Sequence, residues 1–236
     1  MLNFKSKIPN VLTSCNLISG CIAVVFALRG DAPTALLFIA IGAVFDFLDG
    51  FSARFLNVST KMGLELDSLA DDVTFGVAPS AILFAWFSTC PYPSILEPYR
   101  WIVPYLAFIM AAFSAYRLAH FNLDMRQTTS FLGLPTPANA LFWSSLVVGC
   151  HNILAHSPWM SVLLLLMMFT SCWLLVSEIP MFALKFKHWR WAGNRLRYVF
   201  LVSCLPILVL FCVTGIAIII GWYVILSVLT VRMTRS

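Results

Sequence analysis

Four aspartates form two pairs with helical spacing in the first third of the sequence. Asp46 and Asp49 are three residues apart, and Asp67 and Asp71 are four residues apart. On a helix, each of these spacings places both side chains of a pair on the same face. Two antiparallel helices joined by a short turn would bring the two faces together, so we expect all four carboxylates to converge.

Four converging carboxylates indicate a site for divalent cations. Four carboxylates that lie close together cannot all stay ionised in a low dielectric without cations nearby. Oxygen ligands suit hard cations such as Mg²⁺ or Mn²⁺. A pair of such cations favours phosphoryl-type transfer, because the attacking and leaving oxygens both need charge stabilisation.

The residues between the two pairs are suited to binding a phosphate-containing ligand. Gly50 permits close approach to the backbone, and Ala53 keeps the same face small. Arg54 can hold a phosphate, and Thr60 offers a hydroxyl in the turn. Gly63 relieves crowding at the start of the next helix.

The composition places these acids in a membrane protein. Of the 236 residues, 61% are hydrophobic and 11% are charged, and the mean hydropathy is +0.90. A soluble domain has about 25% charged residues, so a soluble enzyme, a disordered chain and a free nucleic-acid binder are excluded. We predict an all-α, polytopic membrane helix bundle in which residues 1–236 form a single membrane domain.

Eight segments are long and apolar enough for a membrane span of about 20 residues. The first is interpreted as a retained span and not a signal peptide, because it contains Asn16 and lacks a small-residue cleavage site. The predicted spans are 9–28, 34–54, 63–89, 101–121, 134–150, 159–179, 195–214 and 216–232.

The basic residues predict the orientation of these spans. With the N-terminus inside, thirteen of the fifteen Lys and Arg residues lie on the inner side, and only Arg29 and Arg100 lie outside. Lys and Arg are enriched in cytoplasmic loops, so both termini are predicted to be cytoplasmic. The acid cluster then lies at the cytoplasmic ends of spans two and three, and the net charge of +5 reflects topology and contact with anionic lipids.

Two other features leave alternatives open. The seven cysteines are interpreted as unpaired thiols, with a disulfide between Cys90 and Cys150 as the alternative. The basic and aromatic segment 180–194 is either an ordinary positive-inside loop or an amphipathic stretch at the membrane interface.

The region around the aspartates resembles a known enzyme family. Residues 46–71 read DFLDGFSARFLNVSTKMGLELDSLAD. All eight fixed positions match the signature D-x2-D-G-x2-A-R-x8-G-x3-D-x3-D of the CDP-alcohol phosphatidyltransferases. The segments IPNVLTSCNLISG, DSLADDVTFGVAPS, YRLAHFN and FLGLPTPANA are similar to the phosphatidylserine synthase branch, so the resemblance covers about residues 8–140.

This resemblance implies a reaction and a set of site residues. The expected reaction transfers the phosphatidyl group of CDP-diacylglycerol to the hydroxyl of L-serine and releases CMP. Asp46, Asp49, Asp67 and Asp71 are expected to hold two divalent cations, Mg²⁺ or Mn²⁺, and Asp71 also to act as general base. The residues expected to contact CDP-diacylglycerol are Asn10, Thr13, Asp49, Gly50, Ala53, Arg54 and Thr60.

The resemblance also implies a homodimer. The protein is expected in a bacterial or archaeal cytoplasmic membrane with its active site facing the cytosol. Its expected partners are the two substrates and membrane lipids, without nucleic acid.

The acceptor pocket must satisfy the carboxylate and the ammonium of serine. Arg117 and Asn122 are candidates for the carboxylate, and Glu65 or Asp72 for the ammonium. Arg117 has an alternative role as a positive-inside anchor. The segment 133–137, GLPTP, interrupts the helical pattern, and we expect it to border this pocket.

Three alternatives to serine transfer compete with this prediction. A sister enzyme would use inositol phosphate, glycerol phosphate or choline, although phosphorylated acceptors need more cations than lie near the motif. A cation transporter would usually place its acids near the bilayer midplane within inverted repeats, whereas these acids are predicted at one membrane edge. A structural scaffold has no need for the six acids that lie within residues 46–72, namely Asp46, Asp49, Glu65, Asp67, Asp71 and Asp72.

Overall fold

The structure, a computed structural model, describes residues 4–58, 60–123, 131–181 and 194–235. These residues form a helix bundle with one short strand pair, which confirms the predicted all-α class. The helices are α1 (Phe4–Leu28), α2 (Ala32–Phe55), α3 (Lys61–Asp71), α4 (Ala78–Thr89), α5 (Ile109–Leu123), α6 (Thr136–Gly149), α7 (His151–Ala155), α8 (Trp159–Val176) and α9 (Arg195–Arg235). The strands are β1 (Phe131–Leu132) and β2 (Pro180–Met181), and short 3₁₀ segments cover Glu97–Tyr99 and Val103–Phe108.

The turn between α1 and α2 is closed by backbone hydrogen bonds. Gly30 adopts a φ of 81°, and its N–H donates to the carbonyl of Ala27 at 2.9 Å while the N–H of Asp31 donates to Phe26 at 3.0 Å. This is the Schellman pattern, in which glycine ends a helix. The Asp31 side chain then caps α2 by accepting from the N–H of Thr34 at 3.1 Å, and these hydrogen bonds lower the pKa of Asp31.

The turn between α2 and α3 is also short, as the sequence predicted. Asn57 adopts a φ of 51°, and the N–H of Val58 donates to the carbonyl of Ala53 at 2.9 Å. Asparagine is one of the residues that tolerate this left-handed conformation. Thr60 caps α3 by accepting from the N–H of Gly63 at 3.0 Å. The turn therefore places the end of α2 beside the start of α3.

A π-helical segment, Asp72–Val77, joins α3 to α4 within one continuous helical run. The N–H of Ala78 donates to the carbonyl of Val73, five residues earlier. Pro79 follows; it has no N–H, and its ring would clash with the carbonyl of Phe75 in a regular α-helix. The wider π turn relieves this clash directly after the last aspartate of the motif.

Helix α1 packs along α2 and also contacts α3, the π segment and α4. The approach is close at Gly20, where a Cβ would lie 2.9 Å from the Cα of Thr74. The hydroxyl of Thr74 donates to the backbone carbonyl of Asn16 at 3.1 Å. The first helix is therefore held tightly against the helical run that carries two of the four aspartates.

The strand pair ties the chain that precedes α6 to the end of α8. Phe131 pairs with Met181, and Leu132 pairs with Pro180, in antiparallel register. Gly133 has a φ of 74°, and its N–H donates to the carbonyl of Ile179 at 3.0 Å. The interruption predicted at 133–137 is therefore a turn that enters α6.

Among the described residues, six helical segments are long and apolar enough to cross a membrane, which supports an integral membrane protein. The predicted fifth span is only the 14-residue helix α6. The predicted orientation of the termini stays a prediction. The six segments are Lys7–Leu28, Ala32–Phe55, Lys61–Thr89, Val103–Leu123, Trp159–Val176 and Arg197–Thr230.

The predicted seventh and eighth spans both lie in α9. This helix contains a non-helical residue, Cys212, with φ 46° and ψ −120°. A Cβ on Gly215 would lie 2.8 Å from the carbonyl oxygen of Ile207, whereas eight residues of straight helix span about 12 Å. The chain therefore folds back at Cys212, and the predicted count of eight spans stays a prediction.

All seven cysteines are free thiols, so Cys90 and Cys150 do not form the alternative disulfide. Cys90 is buried, and this burial raises the pKa of its thiol to about 11. Most of the segment 180–194 lies outside the described residues, so both interpretations of it stay predictions.

Candidate active site

The structure brings together the four aspartates of the motif. Each of Asp46 and Asp49 on α2 and Asp67 on α3 offers one carboxylate oxygen, and these three oxygens lie within 4.8 Å of one another. Asp71, at the end of α3, interacts electrostatically with all three. The helical spacing and the short turn after Asn57 together produce this convergence.

The carboxylate cluster fits divalent cations. Asp49 and Asp71 are only 5% and 9% exposed, and the buried Oδ1 of Asp67 has no hydrogen-bond partner among the described residues. A buried charge without a partner is unfavourable. Because all the ligand atoms are oxygens, a hard divalent cation is the ion that would best neutralise their negative charge.

Helix α1 orients two of the carboxylates. The hydroxyl of Thr13 donates to Oδ2 of Asp49 at 2.6 Å, and Nδ2 of Asn16 donates to Oδ1 of Asp71 at 3.0 Å. Asn16 is not among the site residues predicted from the sequence. Its position three residues after Thr13 and six after Asn10 places all three on one helix face, which is the signal that identifies it.

One cavity, here called the α1–α3 cavity, lies beside this cluster and has a volume of about 160 Å³. It contains all of the predicted CDP-diacylglycerol contacts except Arg54. Arg54 is exposed, and its Nη2 lies 3.9 Å from the position that a Cβ on Gly50 would occupy. The cavity is lined by Pro9, Asn10, Thr13, Asp49, Gly50, Ala53, Val58, Thr60, Gly63, Leu64 and Asp67.

A second cavity, here called the α5–α8 cavity, has a volume of about 240 Å³. Arg117 lines it and also interacts electrostatically with Asp71 of the carboxylate cluster. The buried Nε of Arg117 has no hydrogen-bond partner within the described part of the chain. The lining residues are Tyr116, Arg117, His120, Phe121, Leu132, Leu175, Val176, Ser177 and Glu178.

The other predicted acceptor residues lie outside the lining of both cavities. Nδ2 of Asn122 donates to the hydroxyl of Ser68 at 2.8 Å, and Glu65 is exposed. Oδ1 of Asp72 and the hydroxyl of Ser114 lie beside Gly76, at 2.6 and 3.0 Å from the position of a Cβ there. The roles of Asn122, Glu65 and Asp72 therefore stay predictions.

Sequence comparisons agree with this geometry. The family model described as CDP-alcohol phosphatidyltransferase matches residues 6–174. The chain is similar to the CDP-diacylglycerol–serine O-phosphatidyltransferase of Bacillus subtilis (strain 168), with 38% identity over 131 residues, 55% of this chain and 69% of the relative.

Proteins with the same name in other organisms are also similar. The Mycobacterium bovis protein is 34% identical over 189 residues, 74% of this chain and 60% of the relative. The Saccharomyces cerevisiae protein is 41% identical over 143 residues, 53% of this chain and 48% of the relative. These matches therefore cover about half to two thirds of the relatives.

The family match includes every part of the carboxylate site. Residues 6–174 contain the polar face of α1, all four aspartates and Arg117. The chain therefore belongs to the CDP-alcohol phosphatidyltransferase family.

Proposed function

We propose that this protein transfers the phosphatidyl group of CDP-diacylglycerol to the hydroxyl of L-serine, giving phosphatidylserine and CMP. The observation that carries the proposal is the convergence of Asp46, Asp49 and Asp67 with Asp71, which is within electrostatic reach of Arg117. The names of the relatives support serine as the acceptor.

The α1–α3 cavity is the proposed site for the CDP moiety. Gly50 has no side chain and leaves space beside the backbone, and Arg54 brings a positive charge close to it. Asn10 and Thr60 add polar groups to the lining. The lipid tails of the substrate stay in the bilayer while its diphosphate reaches the carboxylate cluster at the cytosolic membrane edge.

Asp46, Asp49, Asp67 and Asp71 are the proposed ligands of two divalent cations, Mg²⁺ or Mn²⁺. When bound, these cations supply positive charge that neutralises the diphosphate and makes CMP a better leaving group. Thr13 and Asn16 hold the carboxylates of Asp49 and Asp71 in fixed orientations through their hydrogen bonds.

Asp71 is the proposed general base. It takes the proton of the serine hydroxyl, and the serine oxygen forms a bond to the lipid-side phosphorus. The bond between that phosphorus and the bridging diphosphate oxygen breaks, and CMP leaves. Asn16 donates to Oδ1 of Asp71 and so orients the carboxylate that accepts the proton. A hydroxyl needs such a base within hydrogen-bond reach.

Arg117 is the proposed partner of the serine carboxylate, because it alone among the predicted acceptor residues lines the α5–α8 cavity. Arginine binds a carboxylate through two parallel hydrogen bonds. The proposal retains a single membrane domain with a cytosolic active site and, from the family resemblance, a homodimer.

The proposal is tested with purified protein, CDP-diacylglycerol, Mg²⁺ or Mn²⁺ and labelled serine. We expect release of CMP in equal amount to the label that enters lipid. Absence of CMP release with every alcohol would contradict an enzymatic role. Activity with inositol phosphate, glycerol phosphate or choline, but not with serine, would contradict only the acceptor assignment.

A further inference from the structure

Two close contacts hold helix α5 against the continuous helical run of α3 and the π segment. In the first, Nδ2 of Asn122 donates to the hydroxyl of Ser68 at 2.8 Å. In the second, a Cβ on Gly76 would lie 3.0 Å from the Cβ of Ser114. We propose that the hydrogen bond between Asn122 and Ser68 positions Arg117 beside the reacting group, so that Asn122 is a positioning residue and not an acceptor contact. This assignment rests on the proposed function.

The two contacts have the same spacing on both helical runs. Eight residues separate Ser114 from Asn122 on α5, and eight residues separate Ser68 from Gly76 on the opposite run. Going forward along α5 from one contact to the other corresponds to going backward along the opposite run, so the two are antiparallel. The contacts are therefore two points of one packing interface, and together they fix its register.

The reacting group and its arginine neighbour lie between these two contacts. Asp71, the proposed base, comes three residues after Ser68, and Arg117 comes three residues after Ser114. Residues three apart are neighbours on a helix, so each of the two side chains is close to one of the contacts. Arg117 and Asp71 also interact electrostatically. A shift of α5 against α3 would therefore change the separation of Arg117 from Asp71.

The contact at Asn122 is the one that depends on a specific polar group. The hydroxyl of Ser68 donates its proton to the carbonyl of Leu64 at 3.2 Å. A hydroxyl has one proton and two acceptor lone pairs, so Ser68 is oriented by its own helix to accept the hydrogen bond from Asn122. The contact between Gly76 and Ser114 is instead a close steric approach.

A direct contact between Asn122 and the acceptor is less consistent with these positions. Nδ2 of Asn122 already donates to Ser68, and Asn122 does not line the α5–α8 cavity, as Arg117 does. The two roles also differ in what they require of Ser68, which lines neither this cavity nor the α1–α3 cavity. A positioning role needs the hydroxyl of Ser68, whereas an acceptor contact by Asn122 does not.

The test measures CMP release by wild-type protein, Asn122→Ala, Ser68→Ala and the double variant. Both single variants remove the same hydrogen bond, so kcat/KM for serine should fall in each by about two- to tenfold, the range for one hydrogen bond. The double variant should be no slower than the slower single variant, because the bond is lost only once. The KM for CDP-diacylglycerol should not change.

Two further comparisons show whether Asn122 acts through Arg117. In an Arg117→Ala background, Asn122→Ala should cause no further loss, because the positioned side chain is already absent. Ser68→Thr keeps the hydroxyl and should retain the wild-type rate. Ser88→Ala is the matched control and should also retain it, because the hydroxyl of exposed Ser88 likewise donates to a carbonyl four residues earlier, that of Phe84 at 2.8 Å.

Three results would overturn the positioning role. A normal rate in Ser68→Ala beside a slow Asn122→Ala would assign Asn122 to the acceptor directly. Additive losses in the double variant, or a further loss in the Arg117→Ala background, would show that the residues act independently. A raised KM for CDP-diacylglycerol in both single variants would show general disruption of the fold. Wild-type protein that releases no CMP with any alcohol would overturn the proposed function and this inference together.

Discussion

At the scale of single residues, Asp71 differs from the other three aspartates of the motif in its contacts. It accepts a hydrogen bond from Asn16 on α1, and it is within electrostatic reach of Arg117 on α5. Asp49 is instead bound by Thr13 and lines the α1–α3 cavity. These different neighbours favour Asp71 as the residue that meets the acceptor.

The first prediction concerns the proposed base. Asp71→Asn should lower CMP release by about 100-fold to 10,000-fold, the usual range for a general base, while the nucleotide still binds. The measurements are the rate of CMP release and the affinity for CDP-diacylglycerol. Asp31→Asn, in the turn between α1 and α2, is the control and should retain activity. Normal turnover by Asp71→Asn would show that another group accepts the proton.

The second prediction concerns the acceptor carboxylate. Arg117→Ala should raise the KM for serine at least about tenfold, because a charge-assisted pair is lost, with a smaller effect on the KM for CDP-diacylglycerol. The KM for ethanolamine, which lacks the carboxylate, should rise less than the KM for serine. Steady-state kinetics with both acceptors measure this difference. A larger change in the KM for CDP-diacylglycerol would place Arg117 on the nucleotide side.

At the scale of helices, α1 is as much a part of the site as the two helices that carry the aspartates. Its Thr13 and Asn16 bind carboxylates on two different helices, and Gly20 lets it approach the π segment. A membrane helix with a polar face usually turns that face toward the interior of the bundle. The position of α1 therefore contributes to the orientation of two of the four carboxylates, those of Asp49 and Asp71.

The third prediction tests this close approach. Gly20→Ala should destabilise the protein by about 1–3 kcal/mol, a typical effect of overpacking, because the new Cβ would lie 2.9 Å from the Cα of Thr74. The control is Gly221→Ala, where a Cβ meets nothing within 4 Å. Thermal unfolding in detergent measures both. Equal melting temperatures of Gly20→Ala and Gly221→Ala would show that α1 can shift without a loss of stability.

At the scale of the whole molecule, the protein is a membrane bundle whose chemistry is confined to one region. Six described segments are apolar enough to cross a membrane, and the carboxylates lie near the turn between the second and third of them. Such a location suits a reaction between a membrane lipid and a water-soluble acceptor. It also makes the orientation of the bundle a requirement for function.

The fourth prediction tests that orientation. With the site facing the cytosol, the new thiol of Lys61→Cys should be inaccessible from outside the cell. The new thiol of Glu97→Cys should be accessible. Both positions are exposed on the protein surface. Labelling of intact and permeabilised cells with a membrane-impermeant maleimide measures this, with the unsubstituted protein as the background. The opposite labelling pattern would invert the predicted topology.

The sequence by itself determined the all-α membrane class, the two aspartate pairs and the family. These follow from composition and from residue spacing within single helices, which do not depend on the rest of the fold. Only the tertiary structure decided that Asn16 binds Asp71, that Asn122 binds Ser68 and that the chain folds back at Cys212. Each of these depends on how separate segments approach one another in space, and the spacing of residues within a single helix does not determine that approach.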